Sequence, residues 1–518
     1  MNAASRFGWI DAAVLVAYLA GVTLLGLRLG RRQRDATDYF VAGRRIPWWA
    51  VMFSVVATET SALTFISIPG LAYLGDLGFL QIAAGYILGR IVVARTLLPR
   101  YYEGELVTAY ALLETRFGAG TRRFTSIVFM VTRALADSVR VFATAIPVAL
   151  IVGSALGPAL ARVGFSGERA PMVSAILVLG ALTVVYTYRG GMRAVVWTEL
   201  VQAGVYIVGG VSAIVLLGRI APDGWHGILA DASGAGKLRV IDLYTGFDRP
   251  QTLFAGLLGG AFLAMASHGA DQLIVQRLLS ARSLREAQRA IIGSGIAVFV
   301  QFTLFLMIGV GLWAVMRGRS FASPDAVFPT FIVERMPPGL LGLVVAAIVA
   351  ATMSTHSGAI NSLAAATTHD IYLPLTRRSV GDPGALRAGK LFALAWGTAL
   401  TLGALLFRAQ GTPAVVVALG IASFTYGGLL GGFFLGILWA RADQRDAIIG
   451  MSAGIAAMAV IVFAQRISEK VPALATALGP AARIAWPWYV LIGTSITLAT
   501  GVLASLTHAA PARAPGDG

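Results

Sequence analysis

No cysteine occurs among the 518 residues, which excludes disulfides, zinc–thiolate and iron–sulfur centres and thiol nucleophiles. Histidine is scarce: His226, His268, His356, His369 and His508 are scattered with no ligand-like spacing. No GxxxxGKS/T segment is present, so the chain carries no nucleotide-binding loop to drive work with ATP. Charge is the largest deficit. Charged residues make up 13% of the chain, about half the usual share in soluble proteins, while 57% is hydrophobic and mean hydropathy is +0.76. At roughly 20 residues per membrane span, half the chain supplies about thirteen spans. The composition is that of an all-α polytopic membrane protein.

Apolar runs predict helices near 8–30, 48–74, 78–99, 123–152, 172–190, 194–219, 252–279, 287–317, 339–368, 384–408, 413–438, 445–465 and 487–508. The first ends in Arg28, Arg31 and Arg32 rather than a small-residue cleavage site, so it reads as a retained helix and not a signal peptide. Loops after odd-numbered spans are rich in arginine (Arg44, Arg45, Arg122, Arg123, Arg282, Arg285, Arg377, Arg378, Arg441, Arg445). That bias orients the chain with its N-terminus outside and its C-terminus cytoplasmic, as a multi-pass protein of the inner (plasma) membrane. The net charge of +16 follows from such loops and needs no nucleic-acid partner. Membrane lipid surrounds the chain; its oligomeric state is left open. No long linker divides it, and the Pro/Ala/Gly-rich tail 509–518 reads as disordered.

Two spans carry too many polar groups for lipid. The second contains Thr58, Glu59, Thr60, Ser61 and Thr64, then Pro69-Gly70. Its hydroxyls either bond back to their own helix or line an unwound segment broken at Pro-Gly. The ninth contains Thr352, Ser354, Thr355, Ser357 and Asn361. Neutral hydroxyls and freed carbonyls suit a monovalent cation such as sodium, where magnesium or calcium would want more carboxylates. Arg133, Asp137 and Arg140 share one face of the fourth span. Either they pair internally, or one arginine is free to hold a solute carboxylate. Further intramembrane polar residues are Gln81, Glu199, His268, Asp271 and Gln272; His268 is a packing residue or a proton relay, and Asp271 and Gln272 a gate or a helix cap.

The segments DYFVAGRRIPWW, YRGGMRAVVWTELVQ, DQLIVQRLLSARS and MSTHSGAINSLAAATTHDIY, in this order, resemble the sodium/solute symporter family over about residues 8–440. That resemblance implies a LeuT-type fold in a single membrane domain: a peripheral helix 8–30, inverted five-helix repeats in spans two to six (48–219) and seven to eleven (252–438), and C-terminal helices 445–508. Spans two and seven become the broken helices. By motif position the sodium ligands are the Ala57, Thr60 and Ala351 carbonyls and the Ser354 and Thr355 hydroxyls, with Glu59 tuning the site. A second sodium needs an aspartate and a serine where this chain has Glu199 and Gly358, so one coupled sodium is expected. SALTFISIPG looks most like the sodium/sialic acid branch, whose solute positions fall on Ser61, Thr64, Gln81 and an arginine of span four, taken as Arg140. The gating-tyrosine position of the sugar branch falls on Ser267 or His268, His268 completes the set, and Glu199, Asp271 and Gln272 are coupling or gating residues.

The leading expectation is therefore a secondary transporter, not an enzyme, with sodium as coupling ion, no organic cofactor, and a small carboxylate-bearing solute. Two rivals stand beside it: sodium- or proton-coupled uptake of a neutral sugar or amino acid, with Glu59 or Glu199 titrating, and a transceptor with residual transport.

Overall fold

The computed structural model describes residues 7–30, 33–104, 106–162, 169–321, 324–407 and 414–509; Arg31, Arg32 and nearly all of the expected disordered tail lie outside them. Every regular element among these residues is helical. In chain order the main helices are α1 (Trp9–Leu29), α2 (Trp48–Glu59), α3 (Ala62–Leu74), α4 (Phe79–Glu103), α5 (Ala119–Arg162) and α6 (Ala170–Ile220). The chain continues through α7 (Ala255–Ala270), α8 (Gln272–Leu279), α9 (Leu284–Val315), α10 (Pro324–Arg335), α11 (Leu340–Ala366), α12 (Pro383–Leu406), α13 (Ala414–Leu438), α14 (Gln444–Val462) and α15 (Trp488–Ser505).

All thirteen expected segments fall on helix, but the boundaries differ. Eight described helices are long and apolar enough to cross a membrane, or nine if α2 and α3, inclined at 62°, form one span. The 51-residue α6 covers two expected spans, divided at Gly191 (φ 54°, ψ −157°). A Cβ there would lie 2.4 Å from the Tyr39 carbonyl oxygen, so both conformation and space demand glycine. The sequence reading missed α10, a short helix between α9 and α11 that carries Pro329 inside it.

The break in span two is also not where its Pro-Gly pair predicted. Pro69 and Gly70 are helical within α3, and the chain unwinds instead at Thr60 (ψ 86°) and Ser61 (ψ 162°). Gly70 serves packing: a Cβ on it would lie 2.0 Å from the Pro324 carbonyl oxygen of α10. Span seven is broken too, between α7 and α8, where Asp271 is extended and caps α8 by accepting from the Leu273 N–H at 2.8 Å.

Small residues let these helices meet closely. Gly85 of α4 faces Gly256 and Gly260 of α7 and Gly89 faces Ala261 and Ala264, and a Cβ on Gly85 would sit 2.1 Å from the Gly256 carbonyl oxygen. α11 is the axis of the bundle: 89% of the most apolar window of its continuous helix is buried, against α6, α5, α1 and α12. The termini of the last two helices are tied by His508, whose Nε2 lies 3.0 Å from Asp446 in the Asp443–Asp446 capping box of α14.

Candidate functional site

Ser61 starts α3 by accepting from the Thr64 N–H with its own hydroxyl oxygen, 3.4 Å away. Its own N–H turns to the Glu59 carbonyl at 3.0 Å instead of reaching back four residues to Ala57. The Ala57 carbonyl thereby loses its helical donor, and the Thr60 carbonyl loses Thr64. Freed backbone oxygens are what a broken membrane helix offers a cation. Both belong to the expected sodium set.

The other ligands in that set lie on α11, against which α2 and α3 pack. The Ser354 hydroxyl is buried and has no hydrogen-bond partner among the described residues. Thr355 donates from Oγ1 to the Ala351 carbonyl at 3.1 Å, so hydroxyl and carbonyl of the expected set sit side by side. Buried hydroxyls normally find a partner, and an orphan next to other uncharged oxygens marks a place for something that supplies positive charge. Three carbonyls and two hydroxyls without a carboxylate fit sodium.

A small cavity joins the break to α5 and α11. It is lined by Ser61, Asp137, Arg140, Thr144, Thr352, Thr355 and His356, and its volume of about 10 Å³ holds at most one water. The structure thus brings Ser61, Arg140 and Thr355 together. It also separates the two arginines of α5. Arg133 is spent: it pairs with Asp271 at the break of span seven, lies 3.2 Å from the Tyr426 hydroxyl, and has Asp137 at 3.6 Å. Among the described residues Arg140 makes one ionic contact, to Asp137 at 3.3 Å, and it is 21% exposed. Asp271 is both cap and tie between broken helix and bundle, as Gln272 is for the loop before α5: Gln272 Oε1 accepts from Ala109 N–H at 2.7 Å.

Several expected residues lie elsewhere in this conformation. Gln81 does not line the cavity; its amide holds Gln251 and Asp242 of the long α6–α7 connection, at 3.1 and 3.2 Å. Thr64 touches Ser61 hydroxyl to hydroxyl at 3.4 Å. His268 and Glu59 meet outside the cavity around Arg90, a wholly buried arginine of α4 that pairs with Glu59 and lies 3.0 Å from His268 Nε2. Glu59 therefore faces a cation of its own. Arg90 escaped the sequence reading because it sits in an apolar run close to two further arginines of the span end, Arg95 and Arg100; the one cue was its depth in that run. Glu199 is likewise committed. It pairs with fully buried Arg277, accepts from Thr58 at 3.2 Å and bonds Ser54. Gly358 makes room for that arginine, since a Cβ would fall 2.3 Å from its Nη2.

A bundle with two broken helices, uncharged oxygens at one break and a small cavity lined by polar residues beside it is the architecture of a secondary transporter. Residues 39–454 match the sodium:solute symporter family. The chain belongs to that family. It is similar to a sodium/sialic acid symporter of Proteus mirabilis (30% identity, covering 87% of this chain and 89% of that one) and to one of Aliivibrio fischeri (29%, covering 88% of each). Among solved structures it resembles a substrate-bound, outward-open sodium-coupled sialic acid symporter, with a TM-score of 0.82, 27% identity, and coverage of 98% of this chain and 99% of that one. The protein is a multi-pass membrane transporter, a sodium-coupled solute symporter and not an enzyme.

Proposed function

We propose that this symporter takes up a small organic anion whose carboxylate is held by Arg140, together with one sodium ion held by Ala57, Thr60, Ala351, Ser354 and Thr355. The observation that carries the solute class is Arg140 itself: a guanidinium in the cavity wall with a single contact to Asp137, beside Ser61 and Thr352. Arginine offers five donors, so most of its hydrogen-bonding capacity is open to a carboxylate. The charge balance agrees. Arg133, Arg140, Asp137 and Asp271 cancel, and a sodium ion entering with a carboxylate keeps the core neutral. The relatives named for sialic acid, an acidic sugar, support the same class. The pairing of Glu199 with Arg277 supports a single sodium, because the carboxylate that a second ion would need already faces a cation.

In this reading sodium bridges the break of span two to α11 and favours the outward-open form; solute then closes the cavity, and loss of the ion loosens the inner side. Each ligand must prefer one conformation, and each must raise the other's affinity equally. The thirteen-span, N-out arrangement with inverted repeats over 48–219 and 252–438, in the inner membrane, belongs to this proposal. The test is sodium-gradient-driven uptake of a carboxylate panel into proteoliposomes. Arg140→Gln is expected to weaken the preferred acid about 30-fold, from roughly 2 kcal/mol for a hydrogen bond to a charged group. Unchanged acid uptake in that variant would remove the carboxylate assignment.

A further inference from the structure

His356 has no role in the site described above, yet it lines the same cavity as Arg140 and Ser61, one residue after Thr355. Its ring is buried, and Nδ1 has no hydrogen-bond partner among the described residues. The other nitrogen, Nε2, lies 3.4 Å from the Thr401 hydroxyl on α12. That hydroxyl has one proton, which it donates to the Gly397 carbonyl at 2.7 Å. Thr401 can therefore only accept from His356, so Nε2 carries the hydrogen and Nδ1 is left as a bare lone pair. Arg140, with its guanidinium donors, and His356, with an imidazole acceptor, line one small cavity. Because both residues line one cavity, the groups they address are neighbours on the solute.

We propose that His356 is a specificity-determining residue that accepts a hydrogen bond from a hydroxyl next to the solute's carboxylate, so that the transporter selects 2-hydroxy acids over the corresponding 2-keto or 2-deoxy acids. A keto oxygen has no proton to give and faces Nδ1 lone pair to lone pair; a deoxy carbon leaves the acceptor unmet. This rests on the carboxylate reading of Arg140.

The experiment measures sodium-dependent thermal stabilisation of the purified protein by lactate against pyruvate, gluconate against 2-ketogluconate, and sialic acid against its 2-deoxy analogue. The wild type should bind the hydroxy member of its preferred pair at least tenfold more tightly. In His356→Leu that ratio should fall to within about twofold while stabilisation by sodium alone is kept, a split that a purely structural histidine does not produce. Thr401→Val provides a second route if the leucine variant does not fold. Freed from Thr401, the ring can carry its proton on Nδ1, and the ratio should shift toward the keto acid. A wild type that does not discriminate, or a ratio unmoved in whichever variants fold, overturns the role of His356 alone. If no acid stabilises the wild type, the carboxylate assignment falls first, and the proposal with it.

Discussion

Among the described residues the Ser354 hydroxyl has no hydrogen-bond partner, which makes its removal informative. Deleting an unmet buried polar group costs little, whereas deleting an ion ligand abolishes a binding term. Ser354→Ala is therefore expected to unfold at the same temperature as the wild type in potassium chloride, yet to lose most of the extra stability gained in sodium chloride. Detergent thermal-shift curves in the two salts check this; an intact sodium response would remove Ser354 from the ligand set. Residue types alone could not distinguish Arg133 from Arg140, since both share one helix face. What separates them is the partner: Asp271, 138 positions away in sequence, takes Arg133.

Among elements, the two broken spans decide the rest. Proline and glycine are the usual breakers in a sequence, and Pro69-Gly70 drew the break eight residues too late. A serine cap proved enough to interrupt the helix because Ser61 replaces a backbone acceptor with its own oxygen. Beyond the second break, α8 is anchored to α2 and α6 through Arg277, Glu199 and Ser54. Arg277→Met leaves the Glu199 carboxylate buried without a counter-charge and is expected to cost about 3–5 kcal/mol. Combining it with Glu199→Gln should recover more than half of that loss, as read by thermal unfolding. A double variant destabilised by the sum of the two single variants would mean that the two groups do not depend on each other.

At the scale of the whole molecule, coupling is an electrical statement as much as a structural one. One sodium ion and one carboxylate moving together carry no net charge, so uptake should be indifferent to membrane potential. Proteoliposomes with a valinomycin-clamped potential check this, and uptake that rises with an inside-negative potential would require a second cation. Sodium should also stabilise the folded protein by about 2.7 kcal/mol at a hundred times its dissociation constant, where potassium does not.

By itself the sequence determined the class: too few charges for a soluble chain, apolar runs of membrane length, and neutral-oxygen clusters in spans two and nine. Those features are local, since hydropathy and residue type are properties of a segment, and the family motifs are contiguous strings. Only the tertiary structure decided which polar groups are already spent. Glu59 looked like part of an ion site until Arg90 and His268 were found against it, and Gln81 like a solute ligand until the α6–α7 connection took its amide. His356 looked like a stray until its neighbours left one nitrogen unmet. A side chain's availability depends on what packs against it from distant parts of the chain, and in a low-dielectric core one partner is enough to change its role.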